Sequence, residues 1–181
     1  KTMGDLLAGG SELLDALRLA VDEQADQIQQ SGAPIEALTL LAPMPRPGKV
    51  VAIGINYQSH AIEQNIETPE APLIFAKFPT SVIGPGAAIT WDPMLTAEVD
   101  FEGELAVVIG RRARNVSEAS ALDFVLGYTC GNDVSARDLQ FGDRQWVRGK
   151  SLDTFCPLGP WIVTRDEIPD PQALRVRTTV S

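Results

Sequence analysis

The stretch Glu98–Gly110, EVDFEGELAVVIG, decides how the rest of the chain is read. Side chains of a strand point alternately to its two faces, so Glu98, Asp100, Glu102 and Glu104 would share one face, and Val99, Phe101, Leu105, Val107 and Ile109 the other. One face suits a core; the other is a row of carboxylates. Like charges at successive positions of one face repel, and a buried carboxylate without a partner is costly, so the row needs either open water or a cation. Along a strand the Cα atoms of Glu102 and Glu104 lie roughly 6.5 to 7 Å apart, near enough for both side chains to reach one ion. The natural third ligand is Asp133 in GNDVSARD, which follows an apolar strand over 124–130. Three carboxylates without His or Cys select a hard cation, Mg²⁺ first, then Mn²⁺ or Ca²⁺. The plain alternative is a solvated edge strand with surface acids, and the Glu98–Asp100 part suits that description.

Composition bounds what such a site could serve. With 181 residues and a formal net charge of -9, the chain is large enough for one sizeable core, and its acidity argues against nucleic acid or an anionic membrane as a partner. A small soluble ligand or a bound cation fits better. No apolar run approaches the roughly 20 residues that span a bilayer. Cys130 and Cys156 are the two cysteines, without CxxC spacing, and the start at Lys1 shows no leader; together they predict a reducing, cytoplasmic setting. Asn115-Val116-Ser117 is then an accidental glycosylation match.

Outward from the acidic stretch, Leu14, Leu17, Val21 and Ile28 recur at helical spacing and predict an amphipathic packing helix over 11–30, capped by Ser11 and ended by Gly32 and Pro34. APMPRPG at 42–48 cannot continue a helix, which makes 1–44 an N-terminal helical portion with its linker and 45–181 the body. Strands are expected at 49–56, 72–78, 98–110, 124–135, 161–164 and 174–180, with a short helix and a polar loop between the first two. GPG at 84–86 and PLGP at 157–160 read as turns. Because the chain stops inside the last expected strand, it reads as a fragment whose structure continues downstream.

Several side chains could carry chemistry. His60, the single histidine, precedes Glu63 by three residues, so on a helix both lie on one side and the carboxylate can orient the imidazole to activate water. Lys150 in VRGKSLDTF could act as a fixed positive charge for an oxyanion. Lys77 in FAKF is a strand lysine within an apolar run, explained either by snorkelling or by a buried role. Cys156, between Phe155 and Pro157, reads as an inert thiol.

GINYQSHAIE, IFAKFPTSVIGPG, VDFEGELAVVIG, GYTCGNDVSARDLQ and RGKSLDTFCPLGPWIVT, taken in order and spacing, resemble the fumarylacetoacetate hydrolase family from about Pro45 onward. The resemblance implies a mixed, mainly β (α+β) fold with a β-sandwich or β-roll body, a homodimer, and a divalent metal, most often Mg²⁺. It implies Glu102, Glu104 and Asp133 as metal ligands and His60 with Glu63 as a water-activating dyad on a lid. Lys150 would stabilise the enolate, and Lys77, Arg137 and Gln140 would line the pocket for a small keto acid. The family's segment beyond 174–180, of T-G-T-P type, is absent from this sequence. The implied activity is hydrolysis of a carbon–carbon bond in an acylpyruvate-like acid. Decarboxylation of oxaloacetate-like acids and isomerisation of hydroxydiene diacids are the alternatives on the same site. A silent metal-binding or dimerisation module is the rival of another class.

Overall fold

The structure, a computed structural model, describes residues 3–8, 10–63 and 65–180. It is a mixed α+β fold in which short helices sit around several small sheets. Three helices come first, α1 (Met3–Ala8), α2 (Gly10–Glu23) and α3 (Ala25–Ser31). The single helix expected over 11–30 is thus broken at Gln24, and α2 starts at Gly10, ahead of the expected Ser11 cap. As expected, the last turn ends at Gly32, whose N–H bonds back to the Ile28 carbonyl. Leu17, Val21 and Ile28 are half exposed rather than packed. Helical spacing determines which residues share a face, not what covers that face. An exposed Arg18–Asp166 ion pair at 2.9 Å links α2 to the segment after the last strand.

The body begins with β1 (Val50–Gly54), α4 (Gln58–Glu63) and β2 (Leu73–Lys77). β1 and β2 pair antiparallel, with Val50 opposite Lys77, so the strand lysine emerges at the end of the pair. Next come β3 (Val82–Ile83), β4 (Val99–Asp100), β5 (Gly103–Ile109), α5 (Glu118–Ala121) and β6 (Val125–Asn132). The chain continues through β7 (Ser135–Ala136), α6 (Arg137–Gly142), α7 (Val147–Lys150) and β8 (Cys156–Thr164). A four-stranded sheet has the order β3-β8-β6-β5, in which β3 joins β8 in parallel and the other pairs are antiparallel.

Three expectations need correction. The strand expected over 98–110 is two strands in different sheets: β4 pairs with β7, β5 pairs with β6, and Phe101 and Glu102 lie between them. At the break the Glu102 N–H bonds to the Asn132 side-chain oxygen (3.0 Å) and the Glu102 carbonyl accepts the Asp133 N–H (2.9 Å). PLGP lies inside β8 rather than in a turn; Gly159 takes φ 139°, a conformation open to glycine, so the strand runs on through it. The segment 174–180 forms no strand and pairs with none among the described residues, and a segment of strand-like sequence becomes a strand only through a ladder partner.

The faces of β5 are also the reverse of the expected ones. Val107 and Ile109 are 49% and 55% exposed, whereas the Glu102 side chain retains 26% of its surface. Glu102 and Glu104 turn inward, whereas Glu98 is exposed and the Asp100 side chain keeps 45% of its surface, as the solvated reading of that part expects. Beneath them lies a small apolar cluster of Val134, Ala136 and Phe155, against which Ile89, Val99, Leu139 and Leu152 pack. Phe155 is fully buried, so Phe155→Ala loses both its transfer free energy and the packing of the cavity it leaves. We expect a loss of about 3 to 5 kcal/mol in urea unfolding; an unchanged midpoint would remove this cluster as the support of the site.

Candidate functional site

The inward carboxylates meet three cations brought from separate elements. β2 ends on Lys77, α7 ends on Lys150, and Asp133 follows β6, so three chain segments converge. Lys77 Nζ donates to Asp133 Oδ1 (2.6 Å), to the Val134 carbonyl (3.1 Å) and to the Lys150 carbonyl, which uses all three of its N–H groups. Lys150 Nζ donates to Asp133 Oδ2 (3.0 Å), forms an ion pair with Glu102 Oε1 (2.8 Å), and lies 5.2 Å from the Phe75 ring centroid. The two lysines are 3% and 1% exposed. Burial pulls the Lys77 amine below its ordinary value, with Asp133 opposing that pull.

Burying such a cluster removes ions from water at several kcal/mol each, and apolar residues of similar volume often serve stability as well or better. Stability alone therefore gives no reason for it, and a buried cluster of charges is a candidate site of chemistry.

The β4–β7 pairing sets Asp100 opposite Ser135 and carries Arg137, at the start of α6, to the acidic stretch. Arg137 Nε and Nη2 donate to Asp100 Oδ2 (3.0 and 2.7 Å), and Nη1 donates to Glu102 Oε1 (2.5 Å) and Gln140 Oε1 (2.9 Å). Four contacts with protein acceptors thus occupy the guanidinium, which here holds Glu102 and the buried Gln140 in place. Burial pushes the Glu102 carboxyl up, but Lys150 and Arg137 outweigh it and hold the group below its ordinary value.

Tyr57, just ahead of α4, was not singled out from sequence. Its hydroxyl accepts the Leu105 N–H (3.1 Å) beside Glu104, which ties the start of α4 to β5. The available signal was an aromatic hydroxyl at a strand-to-helix junction, GINYQSH, where a polar tip needs a partner. α4 carries His60 and Glu63, as expected. Glu63 is exposed, and the His60 side chain lies outside the described residues.

Whether these groups suit a divalent cation can be judged from Glu104. Burial raises its carboxyl, the neighbouring Tyr57 hydroxyl lowers it, and Glu102 and Asp133 raise it again, leaving it at about 7. A carboxylate held up partly by other carboxylates is one that a nearby divalent charge would relieve. In kind and charge the donor set fits a hard cation. The expected convergence is not seen, however: among the described residues no three His, Cys, Asp or Glu side chains stand together as one ion-holding group. The reason is electrostatic, since Asp133 turns both oxygens to lysines and Glu102 turns Oε1 to Lys150 and Arg137. Cys156 takes no part; burial pushes its thiol up to about 11, as the inert reading expects.

A carboxyl whose pKa rises on folding favours the fold below its unfolded value and loses that contribution as pH rises through the folded one. For Glu104 this window runs from about 4.5 to about 7. In metal-free buffer, wild-type protein should lose stability relative to Glu104→Gln as pH rises through the window, read from paired thermal melts. Parallel melts across that range would contradict the placement of Glu104.

Comparison with known proteins shows the family to which these elements belong. Residues 49–181 match the family described as fumarylacetoacetate (FAA) hydrolase C-terminal. Oxaloacetate tautomerase fahd2, mitochondrial, of Xenopus laevis is 43% identical over 181 residues, covering 99% of this chain and 55% of its own. The solved 2-hydroxyhepta-2,4-diene-1,7-dioate isomerase from Mycobacterium marinum is 49% identical with a TM-score of 0.64, over 74% of this chain and 49% of its own. The 5-carboxymethyl-2-hydroxymuconate delta-isomerase from Mycobacterium smegmatis is 51% identical with the same TM-score, over 73% of this chain and 50% of its own. The chain thus spans about half the length of the curated relatives it matches. With the match over residues 49–181 and relatives 43% and 49% identical, the chain belongs to the fumarylacetoacetate hydrolase family.

Proposed function

We propose that this chain carries the enolisation site of an enzyme acting on small 2-oxo acids. The observation that supports it best is the buried Lys77–Asp133–Lys150–Glu102 cluster, which holds two ammonium groups beside inward carboxylates. Glu102, Glu104 and Asp133 would hold a divalent cation, Mg²⁺ first and Mn²⁺ or Ca²⁺ otherwise. Such a cation, when bound, supplies Lewis-acid charge for a 2-oxo group and its neighbouring carboxylate.

The chain's own residues supply the rest. Lys150 is a preorganised positive charge in a water-poor setting, where a developing enolate oxygen gains most from it. Lys77 fixes Asp133, and Gln140, held through its oxygen by Arg137, keeps its amide N–H groups for a carbonyl or carboxylate. His60 with Glu63 on α4 would move the proton, at a carbon in tautomerisation or isomerisation and at water in hydrolysis.

Proton transfer is the first reading, because relatives named oxaloacetate tautomerase and hydroxyheptadienedioate isomerase both relocate a proton on an enolisable diacid. Hydrolysis of an acylpyruvate-type bond is the second, supported by the His60–Glu63 spacing. We propose a homodimer in a reducing compartment; the half-exposed apolar residues of β5 are consistent with the first and free Cys130 and Cys156 with the second. Among the described residues no helix is long and apolar enough to cross a membrane.

With Mn²⁺ present, the full-length protein should speed the decay of enol oxaloacetate or of a hydroxydiene diacid, followed by ultraviolet absorbance. Lys150→Met should lower kcat by roughly 100-fold or more. Turnover of an acylpyruvate alone would favour the second reading, and no turnover of any 2-oxo acid would overturn both.

A further inference from the structure

Asp100 belongs to the part of the acidic stretch that sequence reading leaves to solvent, yet both its oxygens are engaged. Oδ1 accepts the Phe101 N–H at 2.9 Å, and Oδ2 accepts both Nε and Nη2 of Arg137. The carboxylate is therefore fixed by its own backbone before it meets the guanidinium. The Arg137 fork, held from this side, reaches Glu102 through Nη1 alone.

The contacts on Glu102 are distributed unevenly. Arg137 Nη1, Lys150 Nζ and Ser135 Oγ all lie against Oε1, and among the described residues no such contact falls on Oε2. A guanidinium facing a carboxylate without constraint takes both oxygens, fork on fork. Here Gln140 Oε1 shares Nη1, and Asp100 takes the remaining fork, Nε and Nη2, that would otherwise be free to turn to Glu102.

We propose that Asp100 is a positioning residue: by anchoring Arg137 through Nε and Nη2, it confines the guanidinium to Glu102 Oε1 and leaves Oε2 open to a divalent cation. The role is exerted through Arg137 and needs no contact between Asp100 and the ion. It rests on the reading of Glu102 as a metal ligand. Without the Asp100 carboxylate, Arg137 is free to take both Glu102 oxygens and compete with the cation.

The test is a double-mutant cycle read by Mn²⁺ calorimetry on the full-length protein, with thermal melts to verify folding. Asp100→Asn should bind Mn²⁺ at least tenfold more weakly than wild type, and Asp100→Ser should behave alike, so that one misfolded variant does not decide the result. Asp100→Glu, which keeps the charge, should stay within about threefold. In an Arg137→Met background, adding Asp100→Asn should change affinity by less than twofold, because nothing is left for Asp100 to hold. Wild-type affinity in Asp100→Asn and Asp100→Ser, or additive losses in the double variant, would overturn the proposal while leaving the metal reading intact. Absence of saturable Mn²⁺ binding by wild type would instead overturn the metal reading, and this proposal with it.

Discussion

The site is organised by one carboxylate between two ammonium groups. Asp133 offers one oxygen to Lys77 and the other to Lys150, and each lysine comes from a different part of the chain. Buried charges are tolerable only when their partners are in place, so this arrangement couples the β1–β2 pair, the end of β6 and α7. Lys77 reinforces that coupling by donating to the Val134 and Lys150 carbonyls. A displacement of any one segment would leave an ion buried without a partner, and the steepness of that penalty keeps the cluster in register.

Around this centre the other cations sort the carboxylates by role. Glu102 is held by Lys150 and Arg137 and stays ionised below its ordinary range, whereas Glu104 sits nearby with its carboxyl raised to about 7. The two acids of E-x-E are thus unequal, although they are two residues apart in the chain. Tyr57 reaches the Leu105 N–H from the strand-to-helix junction and makes the position of α4 depend on β5. That dependence is how a helix carrying His60 and Glu63 is connected with the acidic stretch.

Much of this was legible in residue order. Motifs from GINYQSHAIE to RGKSLDTFCPLGP identified the family, and of the residues they contain the structure pairs Lys77 and Lys150 with Asp133 and Glu102. β1, α4 and β2 follow the expected order. Elements whose identity depends on a neighbour were less legible: 98–110 is split between two sheets, 174–180 has no ladder partner among the described residues, and the 11–30 helix is broken with its apolar side half exposed.

The sequence by itself determined the chemical inventory: acids in E-x-E spacing, a later Asp, two lysines in unusual settings and one histidine on a short helix. It could do so because motif spacing and residue type are local properties. Only the tertiary structure decided that Glu102 and Glu104 turn inward while Glu98 stays exposed, that Asp133 faces lysines, that Arg137 is held by Asp100, and that Tyr57 meets β5. Alternation along a strand separates two faces without saying which is covered, and a charge's partner is set by which segments meet in space.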